Sequence, residues 1–386
     1  MKFIASLKLC SAAAFMVFAG QVSQAAEPIA IGTVLSVTGP ASYIGEPEAK
    51  TLKLYVDRIN AEGGVLGRPL KLVVYDDVSD ANKARTFATR LVESDHVVAM
   101  VGGSTTGTTM AMIPVFQRAK IPFMSLAGSV NIIEPVKKEI FKSPHTDRMA
   151  CERVFEDMKA RGLTKIALIA GTDGFGISMR EQCKKVVTNY GISLVSDETY
   201  GAQDTDMTPQ LTKIKATPGV QAIFNTGASG QGPAILTRNY GQLGMQSIPL
   251  YQNNGVASKD YIKLSGQASE GVRLPVPALL VASKLPDSDP QKNVLISYTD
   301  TYQKAYSEPV SAFGGGAYDG LMMVVDAIKA AKSAAPDAIR DALEKTDGFI
   351  GTAGIVHMSP TDHLGLSTKA FKLVEVKAGD WSLVGQ

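Results

Sequence analysis

The first third of the chain alternates short apolar runs with stretches whose apolar residues recur every three to four positions. The apolar runs predict β-strands at residues 29–35, 70–75, 97–101 and 121–125. Between the first two runs, one face of a helix is predicted by the repeat Leu52, Tyr55, Val56 and Ile59. Strands that alternate with helices predict an α/β fold, in which helices cover both faces of a parallel sheet.

The same alternation restarts after residue 142, which predicts a second α/β unit. Its strands are expected at residues 165–170, 192–197, 222–225 and 248–251. Pro275-Val276-Pro277 predicts a return crossing, so that the helix near residues 317–330 belongs to the first unit and the strand-like tail at 355–384 completes the second. We therefore expect one lobe from residues 26–143 and 277–352, and another from residues 144–276 and 353–386.

The N-terminal segment has the pattern of a secretory signal peptide, predicted to span residues 1–25. Lys2 and Lys8 give it a positive start, and an apolar run through Gly20 follows. Ser23 and Ala25 place small residues before a cleavage point near Ala25/Ala26. The run is shorter than the ~20 residues that span a bilayer. The pattern predicts export to the periplasm.

Composition narrows the classes of partner. The chain has 39 basic and 37 acidic residues, and the two lysines of the signal segment account for the difference. No cluster of basic residues interleaved with aromatic ones is present, which argues against nucleic acid as a partner. We expect a monomer. Cys151 and Cys183 remain after cleavage, and the sequence leaves open whether they form a disulfide or two buried thiols.

Motifs that would indicate an enzyme or a cofactor are absent from the sequence. The glycine-rich stretches 171–176 and 227–232 match neither a dinucleotide fingerprint nor a phosphate loop with its lysine. No G-x-S-x-G motif occurs, and the four histidines lack zinc-binding spacing; His357 and His363 are expected in a surface hairpin. We therefore predict no catalytic residue, no metal and no cofactor.

Small hydroxyl and glycine residues recur where predicted strands end and helices begin. Ser104, Thr106 and Ser129 are examples. Ligands of open α/β sheets bind at this edge, where helix N-termini offer free N–H groups. Such a rim suits an anionic group, above all a carboxylate. The alternative is that each hydroxyl only caps its own helix.

A distinctive segment follows the first predicted helix: Ile59-Asn60-Ala61-Glu62-Gly63-Gly64-Val65-Leu66-Gly67-Arg68-Pro69-Leu70, which leads to Asp76-Asp77. Through this segment above all, the chain resembles the periplasmic leucine/isoleucine/valine-binding family of transporter receptors. The resemblance implies the type I periplasmic binding fold, with two Rossmann-like lobes, parallel central sheets and three crossovers. It also implies a small organic solute bound between the lobes by hinge closure, and an ABC permease with ATPase subunits as partners.

The resemblance assigns the solute's carboxylate to two loops. They are Ser104-Thr105-Thr106 and Ala127-Gly128-Ser129. Asn254 stands where amino-acid receptors have a glutamate for the ammonium, and the loop at Ser229 lacks a common tyrosine. Tyr43, Phe175 and Phe313 fall at positions that face the cleft.

These features favour an aromatic acid without an ammonium group as the solute. An aliphatic keto- or hydroxy-acid and a neutral amino acid are the alternatives. A ligand sensor of the same fold also remains open.

Overall fold

The computed structural model of the protein describes residues 27–227 and 231–385. Its first five strands are β1 (Ile29–Leu35), β2 (Leu70–Asp76), β3 (Ala99–Gly102), β4 (Phe123–Ser125) and β5 (Ile140–Lys142). They form one parallel sheet in the order β2–β1–β3–β4–β5. The helices between them are α1 (Ser42–Ala61), α2 (Ala81–Glu93) and α3 (Thr106–Ala119). Every residue of β3, β4 and β5 is buried, as expected for strands covered on both faces.

The second lobe begins after β5. Its strands are β6 (Lys165–Gly171), β7 (Ser193–Tyr200), β8 (Ala222–Asn225), β9 (Leu250–Gln252) and β10 (Arg273–Pro277). Its helices are α4 (Asp147–Ala160), α5 (Gly174–Val186), α6 (Thr208–Ala216), α7 (Gly232–Gln242) and α8 (Lys259–Ser265). These strands are parallel to one another, in the order β10–β9–β8–β6–β7.

The chain then returns to the first lobe and crosses once more. The returning elements are α9 (Lys292–Tyr306), α10 (Ala312–Ala331), α11 (Pro336–Leu343) and the hairpin β11 (Asp347–Ile350) and β12 (Ile355–His357). The last strands are β13 (Phe371–Lys377) and β14 (Asp380–Leu383). They extend the second sheet in an antiparallel manner beyond β10. The two lobes with parallel central sheets confirm the predicted fold class.

Residues 355–366 depart from the predicted division into lobes. β12 pairs with β11, and Val356 and Met358 pack in the core of the first lobe. His363, expected on a surface hairpin, is buried against Phe141 at a ring-centroid distance of 4.2 Å, and its Nδ1 lies 2.8 Å from the Ile140 carbonyl oxygen. The strand-like alternation of this segment revealed a sheet face, but it did not indicate which core that face contacts.

Cys151 and Cys183 form a disulfide, which decides between the two alternatives left by the sequence. The bond joins α4 to α5, and both residues are fully buried. Among the described residues, no helix combines the length and the apolar character needed to cross a membrane. The predicted signal peptide and Ser229 lie outside the described residues.

Candidate ligand-binding cleft

A cavity of about 350 Å³ lies between the two lobes, at the carboxyl ends of the parallel strands. The first lobe contributes the β1–α1 loop, the loop between β3 and α3, and the start of α10. The second lobe contributes the β6–α5 loop and the turn after β9. The crossing segments contribute residues near His145 and Thr352. The cavity therefore occupies the position at which α/β folds of this type bind ligands.

The N-terminus of α3 forms one wall of this cavity. Thr105 caps the helix, because its Oγ1 accepts the Thr108 N–H at 3.2 Å. Thr106 also lines the cavity, and its Oγ1 is buried without a hydrogen-bond partner among the described residues. The backbone N–H groups of Thr106 and Gly107 belong to the first turn, so they have no acceptor within the helix. This wall therefore offers donors to an anion, while the Thr105 hydroxyl is already engaged.

Ser104 lies beside this wall and is 4% exposed. Its Oγ accepts the Ser36 N–H at 3.0 Å and lies 2.5 Å from Glu48 Oε2. Glu48 is fully buried, and its other oxygen has no partner among the described residues. Burial raises the pKa of Glu48 well above its usual range. Glu48 could not be predicted from the sequence, because only the fold brings the interior of α1 to the end of β3.

The loop after β4 presents one of its three predicted residues to the cavity. Gly128 lines it, whereas Ala127 and Ser129 are buried and are not among the lining residues. The Ser129 hydroxyl lies 2.6 Å from Ser178 Oγ and accepts the Asn131 N–H at 3.1 Å. The structure thus gives Ser129 the capping arrangement that the sequence had left open as the alternative to ligand contact.

Three aromatic residues predicted to face the cleft all line the cavity. Tyr43 and Phe313 meet edge to face, with ring centroids 5.9 Å apart. Phe175 reaches across from the second lobe to the first. A Cβ placed on Gly128 would lie 2.5 Å from Phe175 Cε2, so glycine is needed for this approach. The rings give the cavity an apolar surface.

Asn254 lines the cavity as well, at the start of a short turn capped by Asn253. The Asn253 side chain accepts the Gly255 N–H at 2.7 Å. The Asn254 Oδ1 atom is buried and has no hydrogen-bond partner among the described residues. An unpaired buried carbonyl oxygen costs free energy unless a ligand or water donates to it.

Two ionisable residues at the cavity were not identified from the sequence. Asp173 caps α5 by accepting the Phe175 and Gly176 N–H groups on Oδ1. Its place at the cavity could not be predicted from the sequence, because an aspartate before a helix also fits a plain helix cap. His145 lines the cavity and stacks on Phe371; burial, then the charge of Lys142, lowers its pKa to about 3, so the ring is neutral. Among the described residues, no lysine or arginine lines the cavity.

Comparisons with known proteins agree with this architecture. A family model described as periplasmic binding protein matches residues 28–380. A leucine-, isoleucine-, valine-, threonine- and alanine-binding protein of Pseudomonas aeruginosa is 25% identical over 356 residues, which cover 90% of this chain and 88% of that protein.

Two solved structures give the same result for the fold. An extracellular ligand-binding receptor from Rhodopseudomonas palustris superposes with a TM-score of 0.83 at 26% identity, covering 92% of this chain and 99% of that one. A branched-chain amino-acid transporter substrate-binding protein from Streptococcus pneumoniae, solved with isoleucine, has a TM-score of 0.79 at 23% identity, covering 93% and 99%. With the family model spanning nearly the whole described chain, this protein belongs to the periplasmic binding protein family of solute receptors.

Proposed function

We propose that the protein is the extracytoplasmic receptor of an ABC importer and that its cleft captures a small carboxylic acid with an apolar body. The main support for this proposal is the N-terminus of α3. The N–H groups of Thr106 and Gly107 have no acceptor within α3, and the Thr106 hydroxyl has no partner among the described residues. Both features point to an anion held by neutral donors. Tyr43, Phe175 and Phe313 then surround the apolar part of the solute.

A neutral amino acid with an apolar side chain is the leading class of solute. The Pseudomonas aeruginosa relative is named for leucine, isoleucine, valine, threonine and alanine. The charge of the cleft supports the same class, because Asp173 lines the cavity and no lysine or arginine of the described residues accompanies it. A monoanion would add a second negative charge beside Asp173, whereas an ammonium group would offset that repulsion.

An aromatic acid without an ammonium group is the second candidate. Asn254 supports it, since this position offers an amide where the resemblance implies a carboxylate for the ammonium. The edge-to-face pair of Tyr43 and Phe313 also suits a flat ring. The two candidates share the carboxylate and differ only in the ammonium.

Matched pairs of ligands separate these candidates. Calorimetric titration compares L-phenylalanine with hydrocinnamate and leucine with isocaproate, each pair differing in the ammonium group alone. Leucinamide, which keeps the ammonium and lacks the carboxylate, is the third type of probe. Tighter binding of the amino acid in each pair supports the leading class, and tighter binding of the deaminated acid supports the second. Leucinamide binding as tightly as leucine would contradict the proposal itself.

Substitutions test the residues assigned to each end of the solute. Thr106→Val keeps the shape and removes the hydroxyl, so affinity should fall about 10- to 150-fold, as for one hydrogen bond to a charged group. Thr89→Val on α2 is the matched control, because the Thr89 hydroxyl donates to the Arg85 carbonyl oxygen and Thr89 does not line the cavity. Asp173→Asn preserves the helix cap and removes the charge. It should therefore weaken the binding of amino acids and strengthen the binding of their deaminated analogues, which no longer meet a like charge.

Export and delivery complete the proposal. Residues 1–25 act as the signal peptide, and N-terminal sequencing of the periplasmic protein should place the new terminus near Ala26. The second lobe, with Phe175, closes over solute held by the first lobe, and the closed pair of lobes is what the permease recognises. Uptake of labelled solute by cells should disappear when the gene is deleted and return when it is restored.

A further inference from the structure

A chain of buried polar side chains runs behind the α3 wall of the cavity. It begins at Glu48, passes through Ser104 and Ser36, and ends at Asp77. The Ser104 Oγ lies 2.5 Å from Glu48 Oε2, the Ser36 N–H donates to Ser104 Oγ at 3.0 Å, and the Ser36 hydroxyl donates to Asp77 Oδ1 at 2.7 Å. Of these four residues, only Ser104 lines the cavity.

Whether the Ser104 hydroxyl can donate a hydrogen bond to the solute depends on the protonation state of Glu48. A serine hydroxyl has one hydrogen to donate and two lone pairs to accept with. If Glu48 is ionised, Ser104 must donate to it and turns only a lone pair toward the solute carboxylate. If Glu48 is protonated, it donates to Ser104. The Ser36 N–H then fills the second lone pair, and the hydroxyl hydrogen is free for the solute.

The surroundings of Glu48 favour the protonated state. The Oε1 atom has no partner among the described residues, so an ionised carboxylate would keep a single hydrogen bond in a fully buried position. The charged group that acts on Glu48 is the Asp77 carboxyl, and the charged groups that act on Asp77 are Asp76 and Asp80. All of these neighbours are acidic. No salt bridge joins Glu48 or Asp77 to a basic side chain within the described residues. Burial, with a further contribution from Asp77, raises the pKa of Glu48 despite the lowering effect of its hydrogen bond with Ser104.

We propose that Glu48 is a positioning residue that stays protonated, donates to Ser104 Oγ, and thereby directs the Ser104 hydroxyl hydrogen to the carboxylate of the bound solute. This inference rests on the proposed function for the identity of the bound group. The protonation state of Glu48 itself is independent of any ligand. Two measurements therefore test the two parts separately.

Infrared difference spectroscopy of the unliganded protein tests the proton. The spectrum of the wild type minus that of Glu48→Gln should contain the carbonyl band of a protonated carboxyl group at neutral pH. A difference spectrum that contains only the bands of an ionised carboxylate overturns the inference. This result does not depend on whether a carboxylic acid binds, so it remains informative if the proposed function fails.

Binding measurements test the direction of the Ser104 hydrogen, with the tightest carboxylic acid from the matched pairs as probe. Ser104→Ala should weaken binding about 10- to 150-fold, the range for one hydrogen bond to a charged group. Glu48→Gln keeps an N–H donor for Ser104 and should leave affinity within about threefold. If Glu48 were ionised, Ser104→Ala would cost no affinity, and Glu48→Gln would improve binding by freeing the hydroxyl hydrogen. Either outcome, or a loss above about tenfold in Glu48→Gln, overturns the inference.

Discussion

Gly128→Ala is expected to weaken solute binding by blocking the closed arrangement of the lobes. Gly128 belongs to the first lobe and Phe175 to the second. A Cβ at position 128 would lie 2.5 Å from Phe175 Cε2 and 2.9 Å from Cδ2. Optimal carbon–carbon contacts lie at about 3.5–4.0 Å, so the overlap is about 1 Å. Gly128 has no positive φ, so alanine itself is compatible with the backbone.

The size of the effect follows from overpacking. An extra methyl group in a well-packed site costs about 1–3 kcal/mol. The clash exists only when Phe175 is seated against the first lobe, so the cost falls on the closed state. Affinity should therefore decrease by about 5- to 150-fold, at 1.4 kcal/mol per factor of ten. Calorimetric titration measures this loss, and thermal unfolding of the unliganded protein should stay unchanged.

A double variant isolates the proposed cause. In a Phe175→Leu background, the smaller side chain should relieve the clash, so that adding Gly128→Ala should cost much less affinity than it does in the wild type. Unchanged affinity in Gly128→Ala, or an equal loss in the Phe175→Leu background, would refute the reasoning.

The other predictions concern stability. Loss of the disulfide should lower the free energy of unfolding by ~3.7 kcal/mol, because the bond joins residues 32 positions apart. In urea titrations, Cys151→Ala/Cys183→Ala should be as stable as the reduced wild type, and equal stability of reduced and oxidised protein would contradict this prediction. The pKa of His145 is lowered from 6.5 to about 3 in the folded protein. Between these two pH values the unfolded chain binds more protons than the folded one, so the folded state loses stability as the pH falls from 6.5 to about 3. The wild type should lose up to ~1.4 kcal/mol per pH unit there relative to His145→Phe, which keeps the stacking on Phe371; parallel pH profiles would speak against a buried neutral His145.

The fold was accessible from the sequence because parallel strands covered on both faces are apolar along their whole length. β3 is an example: Ala99 to Gly102 are all buried, and the run stands out without any alignment. The division near residue 355 was harder, because β12 alternates like an edge strand of either lobe. Its pairing with β11 is a local hairpin, and the alternation of β12 alone does not show which lobe that hairpin packs against.

Placement of the cleft followed from strand ends, but the role of each side chain did not. Gly128 and Ser129 are neighbours, yet Gly128 lines the cavity and the Ser129 hydroxyl turns to Ser178. Adjacent residues in an extended loop face opposite directions, so the hydroxyl that looks suited to a ligand is not always the one that meets it. Asp173 was overlooked for a related reason, since a helix-capping carboxylate can also present its second oxygen to a cavity.

The charges around the cleft connect these features. Because no lysine or arginine in the described part of the chain lines the cavity, a carboxylate there would be held by helix N–H groups and hydroxyl hydrogens. Asp173 already places one negative charge at the cavity, on the β6–α5 loop whose Gly174 packs against Gly107. An ionised Glu48 would add another charge directly behind Ser104 while withdrawing the serine's hydrogen. A neutral Glu48 therefore favours capture of a carboxylic acid, whichever solute binds. The ammonium preference, by contrast, depends on Asp173 and Asn254. The two contributions can consequently be tested separately, since substitutions near α3 should weaken every acid, whereas Asp173→Asn should weaken only those with a cationic group.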